Sequence, residues 1–392
     1  MKEHMNVPIA RTSLLEKEIQ SVLEPLESGW LVQGPKTKEF EDKWSAFTGA
    51  KHSIAVTSCT SALHLSLAAS GFGPGDEAIV PAFTWIATAN VVEHLGGKVV
   101  FCDVDPETFN LDVNQMESKI TSKTKAILPV HLFGLSVDMD VINELAEKHS
   151  IFVVEDAACG FGSYYKGRHV GTFGNTGCFS FHPRKAITTG EGGMITTNED
   201  DLAVKIRRLR DHGAELSDLQ RHLGAKPYLL ADHPEAGYNQ RMTDIQGALG
   251  SAQMDRAHEI TQERHKLAQR YHAAFSKLSW LGLPLKTEGF IHGYQSYPCM
   301  FRPERPTLKN VKQLNLQRNK WMERLQNKGI STRPATHAVH MLKFYKEKYQ
   351  LKSEDFPNAY IANDCSISLP LFHGMTVEEQ DYVIENVKES FR

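Results

Sequence analysis

Apolar positions along this chain keep two rhythms, one of helices and one of buried strands, and they alternate for most of its length. Leu14, Leu15, Ile19, Val22, Leu23 and Leu26 recur at helical spacing, which predicts a helix over 12–28 closed by Ser28-Gly29. A turn at Gly34-Pro35 precedes a second helix through Phe40, Trp44 and Phe47. The run His52-Ser53-Ile54-Ala55-Val56 reads as a strand, and 62–69 as an apolar helix. Strands are then expected at 77–80, 98–103, 126–130 and 151–155, with helices at 85–95 and within 136–150. A hairpin is expected between Cys178-Phe179-Ser180-Phe181 and Met194-Ile195-Thr196-Thr197. Repeated β-α units with apolar strands predict an α/β fold with a mainly parallel central sheet covered on both faces. Sites on such sheets gather at the carboxyl ends of the strands.

Residues 242–278 form a long helical region, with Ile245, Leu249, Met254, Ile260 and Leu267 among its apolar positions. Beyond it, strand-like residues 295–301 and helices at 312–328 and 377–388 predict a smaller C-terminal α+β domain. The expected division is a large domain over 1–250 and a small one over 251–392, consistent with a length of 392 residues. No repeat, low-complexity segment or extended linker interrupts the pattern.

Composition narrows the function. Hydrophobic residues at 41% and charged residues at 23% are those of a globular protein. A net charge of −3 gives no general attraction to nucleic acid or to an anionic membrane. No apolar run approaches bilayer-spanning length, and MKEHMNVPIARTSL lacks a basic segment followed by an apolar core, so neither a membrane span nor a secretory signal is expected. The six cysteines (Cys59, Cys102, Cys159, Cys178, Cys299, Cys365) form no Cys-x-x-Cys pair, which fits a reducing cytoplasm. Among eighteen histidines, His337 and His340 are spaced three apart beside Pro334, and no metal is expected there or elsewhere.

Three stretches could carry chemistry. Thr57-Ser58-Cys59-Thr60-Ser61 joins a strand to a helix; its hydroxyls are either plain N-caps or part of an anion site at the positive helix end. No Gly-Lys-Ser/Thr follows, so it is not a P-loop. Gly71-Phe72-Gly73-Pro74-Gly75-Asp76 follows a helix and precedes a strand, the wrong order for a dinucleotide fingerprint, and reads as a helix C-cap and turn. In Val153-Val154-Glu155-Asp156-Ala157-Ala158 a carboxylate stands at a strand end; it is either a helix N-cap or a partner that keeps a heterocyclic nitrogen protonated. Lys185 lies on a polar turn between apolar strands, in GCFSFHPRKAITTGEGGMI at 177–195. It is either one solvated lysine among many or an amine presented to a carbonyl cofactor.

Taken together these pieces point one way. Pyridoxal phosphate needs an anion cradle, a flat face for its ring, a counter-ion for the pyridine nitrogen and a Schiff-base amine. The chain offers, in order, the Thr60-Ser61 turn, Trp85 after Phe83-Thr84, Asp156, then Ser180 and Lys185.

At these residues the sequence resembles the DegT/DnrJ/EryC1/StrS family of pyridoxal-phosphate sugar aminotransferases. The likeness runs from about Leu31 to Leu371. It is carried by Thr60-Ser61-Ala62-Leu63, Pro81-Ala82-Phe83-Thr84-Trp85, Glu155-Asp156-Ala157-Ala158, Phe179-Ser180-Phe181 with Lys185, Gly190-Glu191-Gly192-Gly193 and Asn239-Gln240-Arg241-Met242-Thr243-Asp244. The resemblance implies the type I, aspartate-aminotransferase-like fold. It also implies that Lys185 holds the cofactor and moves the proton, that Asp156 keeps the pyridine nitrogen protonated, and that Trp85 stacks on the ring. Thr60, Ser61 and Ser180 would hold the phosphate, and Asn239 would reach it from the second subunit of a homodimer with shared active sites. Cys159 departs from the pattern: family members carry Gln or His there, against the ring hydroxyl, and a thiol is a weak donor. Lys185 is intact where a dehydratase branch of the family carries His, which favours amino transfer.

The expected activity is a cytoplasmic transfer of an amino group, from glutamate, onto a keto-sugar. A nucleotide-linked keto-deoxyhexose for surface polysaccharide is the first acceptor. An oxidised acidic sugar such as 8-keto-3-deoxy-octulosonate, for lipopolysaccharide, is the alternative, with Arg184 or Arg333 meeting its carboxylate. Residues 331–340, with Arg333, His337 and His340, lie where family members approach the sugar, and read equally as a surface loop. A non-catalytic, cofactor-binding regulator on the same fold is the reading from a different class.

Overall fold

In the computed structural model, residues 5–216, 228, 230–389 and 391 are described. Seven strands form the central sheet: β1 (His52–Val56), β2 (Glu77–Pro81), β3 (Lys98–Cys102), β4 (Thr124–Ile127), β5 (Phe152–Asp156), β6 (Thr176–Ser180) and β7 (Gly193–Thr197). Their order is β1-β7-β6-β5-β4-β2-β3. The run from β6 to β3 is parallel, and β7 lies antiparallel between β6 and β1. The β6–β7 hairpin is the predicted one, with Ser180 opposite Gly193. Strand β4 stops earlier than its apolar run, before Pro129, which has no N–H for a ladder.

Each face of the sheet is packed. Ile54, Val56, Ile195 and Cys178 join one core cluster with Leu63 and Leu67 of helix α2 (Cys59–Ala69). From the opposite face Ala55, Met194 and Phe179 meet Phe40 and Trp44 of helix α1 (Pro35–Thr48). A third cluster sets Ile79, Ile127 and Val153 against Met139, Ile142 and Ala146 of helix α4 (Met139–His149). Helix α3 (Ala87–His94) lies between β2 and β3 in sequence. Asp138 caps α4 by accepting from the Asp140 and Val141 N–H groups, and the helix lies within the expected 136–150.

One predicted helix is divided, and the long helical region holds two helices. The stretch over 12–28 forms Glu16–Ser21 and Leu23–Ser28, broken at Val22. Pro25 explains the break, because its missing N–H is harmless in the first turn of a new helix and disruptive inside a continuous one. The region 242–278 forms α6 (Asp244–Met254) and α7 (Ala257–Phe275), separated at Arg256, whose φ of −116 and ψ of 21 leave the helical range. The guanidinium of Arg256 is held there by the buried carboxylate of Glu18. Asp244 begins α6 and also receives the N–H groups of Gly34, Lys36 and Thr37, so it closes the start of α1. Helix α5 (Asp200–Arg210) follows β7.

The C-terminal part is α+β, as expected. Strands Leu281–Gly282, Tyr297–Phe301 and Ser366–Leu369 form a small antiparallel sheet with the long strand in the middle. Helices Val311–Asn327, Pro357–Cys365 and Val377–Glu389 accompany it. Several contacts tie this part to the large domain. His337–Ala338 pairs with Phe83–Thr84, and the buried Asp103 accepts from the Asn358 and Ala359 N–H groups.

Candidate active site

Asp156 is the last residue of β5 and is buried. Its Oδ2 accepts from Thr88 Oγ1 at 2.7 Å and its Oδ1 from the Ala158 N–H at 3.1 Å. Burial pushes its pKa above the usual carboxylate range, and the hydrogen bond from Thr88 opposes that shift. A buried carboxylate in this state favours a cationic N–H partner. Thr88, which no sequence motif marks, sits on α3 with its Oγ1 3.2 Å from the Trp85 carbonyl. One hydroxyl thus connects the aspartate to the aromatic residue.

Glu155, one residue earlier, plays a different part. Its fully buried carboxylate accepts from His131 Nε2 at 2.8 Å and from the N–H groups of Gly171, Phe173 and Gly174 at 2.7 Å each. His131 Nδ1 accepts from the Val137 N–H, which places the ring proton on Nε2. Burial raises the pKa of Glu155 and these donors bring it below its ordinary value. Glu155 therefore ties the 171–174 loop to β5 while Asp156 faces the site.

Lys185 follows β6 and is half-buried, with its Nζ 3.2 Å from Cys159 Sγ. Burial lowers the pKa of its ammonium, but the hydrogen-bonded Cys159 and the nearby Asp156 carboxylate outweigh this, so the net direction is upward. The Cys59 thiol is pushed well up by burial. At the position where the family pattern has Gln or His, the structure sets a thiol against the lysine amine.

The anion cradle is the start of α2. Ser58 caps it, its Oγ accepting from the Ser61 N–H at 3.1 Å. Ser61 Oγ lies 2.8 Å from Thr57 Oγ1 and 3.0 Å from Ser58 Oγ, while Thr60 is exposed. Helix geometry leaves the N–H groups of Cys59 and Thr60 outside the helical ladder, with the positive end of the helix behind them. Gly193 of β7 runs so close that a Cβ there would lie 2.4 Å from the Ser58 carbonyl and 2.7 Å from the Cys59 nitrogen. Opposite Gly193, the half-buried Ser180 ends β6. Phosphate fits this corner: a helix start, a ring of hydroxyls and a strand without a side chain.

Trp85 is 59% exposed, its ring 5.7 Å from that of His337. The pairing of His337 with Thr84 brings part of the 331–340 stretch to this mouth. His340 is fully buried beside Phe356, and Arg333 is exposed, bridged through its backbone to Ser368. Asn239 is exposed on a segment that bridges to Asp211, and the next residue's carbonyl accepts from the Thr57 N–H at 3.1 Å. It stands next to the cradle's strand and, among the described residues, makes no hydrogen bond to Ser61 or Lys185 of its own protomer. Arg184 is exposed beside Lys185. Among the described residues, no three His, Cys, Asp or Glu side chains converge on a possible metal position.

Known proteins resemble this chain in sequence and in overall fold. The model of the DegT/DnrJ/EryC1/StrS aminotransferase family matches residues 12–388. The chain belongs to this family. Its enzymes are pyridoxal-phosphate-dependent sugar aminotransferases, and this chain is one of them. Among relatives, the spore coat polysaccharide biosynthesis protein SpsC of Bacillus subtilis is 38% identical over 390 residues, 99% of this chain and 98% of SpsC. Spr1654 of Streptococcus pneumoniae, assigned as a sugar aminotransferase, has been solved in forms with pyridoxal and pyridoxamine phosphate. Its pyridoxamine form superposes with a TM-score of 0.90 at 31% identity, covering 98% of this chain and 99% of that one. Helicobacter pylori PseC, an aminotransferase of pseudoaminic acid biosynthesis, gives 0.88 at 27% identity and covers 99% of each chain. Asp156, Lys185 and the Ser58–Ser61 turn of this aminotransferase meet at the carboxyl ends of β5, β6 and β1, as the sheet rule requires.

Proposed function

We propose that this enzyme moves an amino group from glutamate onto the keto group of a nucleotide-linked deoxyhexose, in the assembly of a surface polysaccharide. The observation that carries the reading is Asp156 at the end of β5 and Lys185 on the turn that follows the neighbouring parallel strand β6, beside an open helix start. Pyridoxal phosphate, when bound, supplies an electron sink for the carbon next to the transferred nitrogen. Asp156, desolvated and steadied by Thr88, would hold a proton on the pyridine nitrogen. Lys185 Nζ would anchor the cofactor between turnovers and carry the proton to and from the reacting carbon, with Cys159 as its neighbour. The N–H groups at Cys59 and Thr60, with Ser61 and Ser180, would hold the phosphate, and Trp85 would cover the ring at the mouth.

The likeness to SpsC and PseC supports a sugar destined for a cell-surface polymer or glycan. A homodimer working in the cytoplasm belongs to the same reading. The homodimer is supported by Leu15, Ile19, Leu23 and Leu26, four apolar residues at or within the two N-terminal helices that are exposed in the protomer. In such a dimer the exposed Asn239 would approach the partner's phosphate. An oxidised acidic sugar is the second acceptor, favoured by the exposed Arg184 next to the lysine.

The purified enzyme is expected to show a visible cofactor band that glutamate bleaches, and borohydride should tag Lys185. Keto-sugars offered to the bleached form should restore the band, and the one that does so fastest names the acceptor class. A borohydride tag on another residue, or a band that glutamate never bleaches, would overturn the reading and favour the regulator.

A further inference from the structure

Lys185 stands on an irregular turn, so its direction depends on what holds the turn. Locally, the Lys185 N–H donates to the His182 carbonyl at 2.8 Å, and the Thr189 N–H to Phe181 at 3.0 Å. The peptides on either side of the lysine are held from far away. Gln295 Nε2 donates to the Arg184 carbonyl at 2.7 Å, and Gln295 Oε1 accepts from the Ala186 N–H at 3.1 Å. One carboxamide therefore brackets the lysine, using both of its functions as a strand neighbour would.

The bracket is itself anchored. The Gln295 N–H donates to Phe133 at 2.9 Å, and its carbonyl accepts from Arg264 Nη2 at 2.5 Å. Arg264 is buried and also donates to the Tyr294 carbonyl at 3.0 Å. On the far side of the turn, Gln253 repeats the device: Oε1 accepts from the Thr188 N–H at 3.0 Å and Nε2 donates to the Thr188 carbonyl at 2.7 Å.

We propose that Gln295 is a positioning residue for Lys185: its carboxamide locks the 184–186 backbone so that the amine is delivered in one direction. The role rests on the reading of Lys185 as the reacting amine. Two residues past Gln295 begins the strand Tyr297–Phe301, so the aim of the lysine is tied to the seating of the C-terminal sheet.

Two variants of the full-length enzyme separate positioning from packing. Gln295→Met keeps length and bulk but loses both hydrogen bonds. We expect kcat to fall about 10- to 100-fold with KM for glutamate little changed, as for a misaimed catalytic group. In the cofactor-free protein, hydrogen exchange of the 184–186 amides should quicken while the melting temperature holds. Gln295→Glu is the conservative partner, because a protonated carboxyl has one O–H donor and one acceptor and can remake both contacts. Its kcat relative to the native enzyme should therefore fall as pH rises and that carboxyl ionises, whereas the ratio for Gln295→Met stays flat. A flat ratio for Gln295→Glu, or native kcat and exchange in Gln295→Met, overturns the proposal. Lys185→Ala distinguishes the two levels. If it retains the borohydride-sensitive band, the lysine reading itself falls; if it loses the band while Gln295→Met behaves as native, the positioning role alone falls.

Discussion

Thr88 shows how much of a site rests on one side chain outside any motif. Replacing it by Val keeps the β-branched shape on α3 and removes the donor to Asp156 Oδ2. A hydrogen bond to a charged group is worth about 1.5–3 kcal/mol, so cofactor affinity should drop roughly 10- to 100-fold. Titration of the cofactor-free enzyme with pyridoxal phosphate, followed by absorbance, checks this; unchanged affinity would show that Asp156 needs no such support. Asp156 and Lys185 were legible in the sequence because each ends or follows an apolar strand and their neighbours form recognisable runs. Thr88, Gln253 and Gln295 were not, since their partners lie 68, 65 and 109 residues away and no local pattern marks the pairing. The spacing of Thr88 three residues after Trp85 was the one available hint. Cys159 was visible as a departure, but its contact with the lysine was not.

Among the elements, strands were read more accurately than helices, because a buried strand needs only a short apolar run. The first helix was misjudged as continuous: its apolar spacing is uninterrupted, and Pro25 decides the break against it. Gly193 makes the sharper test of how elements meet. Gly193→Ala forces β7 away from the Ser58–Cys59 turn, since the new Cβ would sit 2.4 Å from the carbonyl. Overpacking of this kind costs about 1–3 kcal/mol, and here the strain falls on the anion cradle. Phosphate affinity, read from pyridoxal phosphate binding, should therefore suffer more than the melting temperature. Gly190→Ala is the comparison: its φ of +81 makes a side chain strained, yet a Cβ there meets nothing within 4 Å. That variant should lose about 1–2 kcal/mol of stability and bind the cofactor normally. Equal effects from the two glycines would contradict the close approach.

At the scale of the whole molecule, several histidines are kept neutral by burial. His169 and His340 are pushed down to about 4 and His292 to about 3, in each case first by desolvation. For such a group the unfolded chain, near 6.5, takes up the proton first. Its contribution is therefore intact above about pH 6.5 and is lost as pH falls toward 4. The melting temperature should fall across that window. His169→Gln should flatten the slope, because the native ring receives the Gly162 N–H on Nε2 at 3.2 Å and cannot keep that bond once protonated. An unaltered slope would remove His169 from the account. The α/β class and the β6–β7 hairpin could be read from the chain, but the seating of β1 beyond β7 could not, since nothing in residues 52–56 names a partner so far along. That seating bears on synthesis. On the ribosome, the first strand of the sheet waits unpaired until Gly193 to Thr197 emerge, and the lysine turn waits longer, for Gln295. The nascent chain therefore completes its reactive corner last, and cofactor can be captured only by a nearly finished protein.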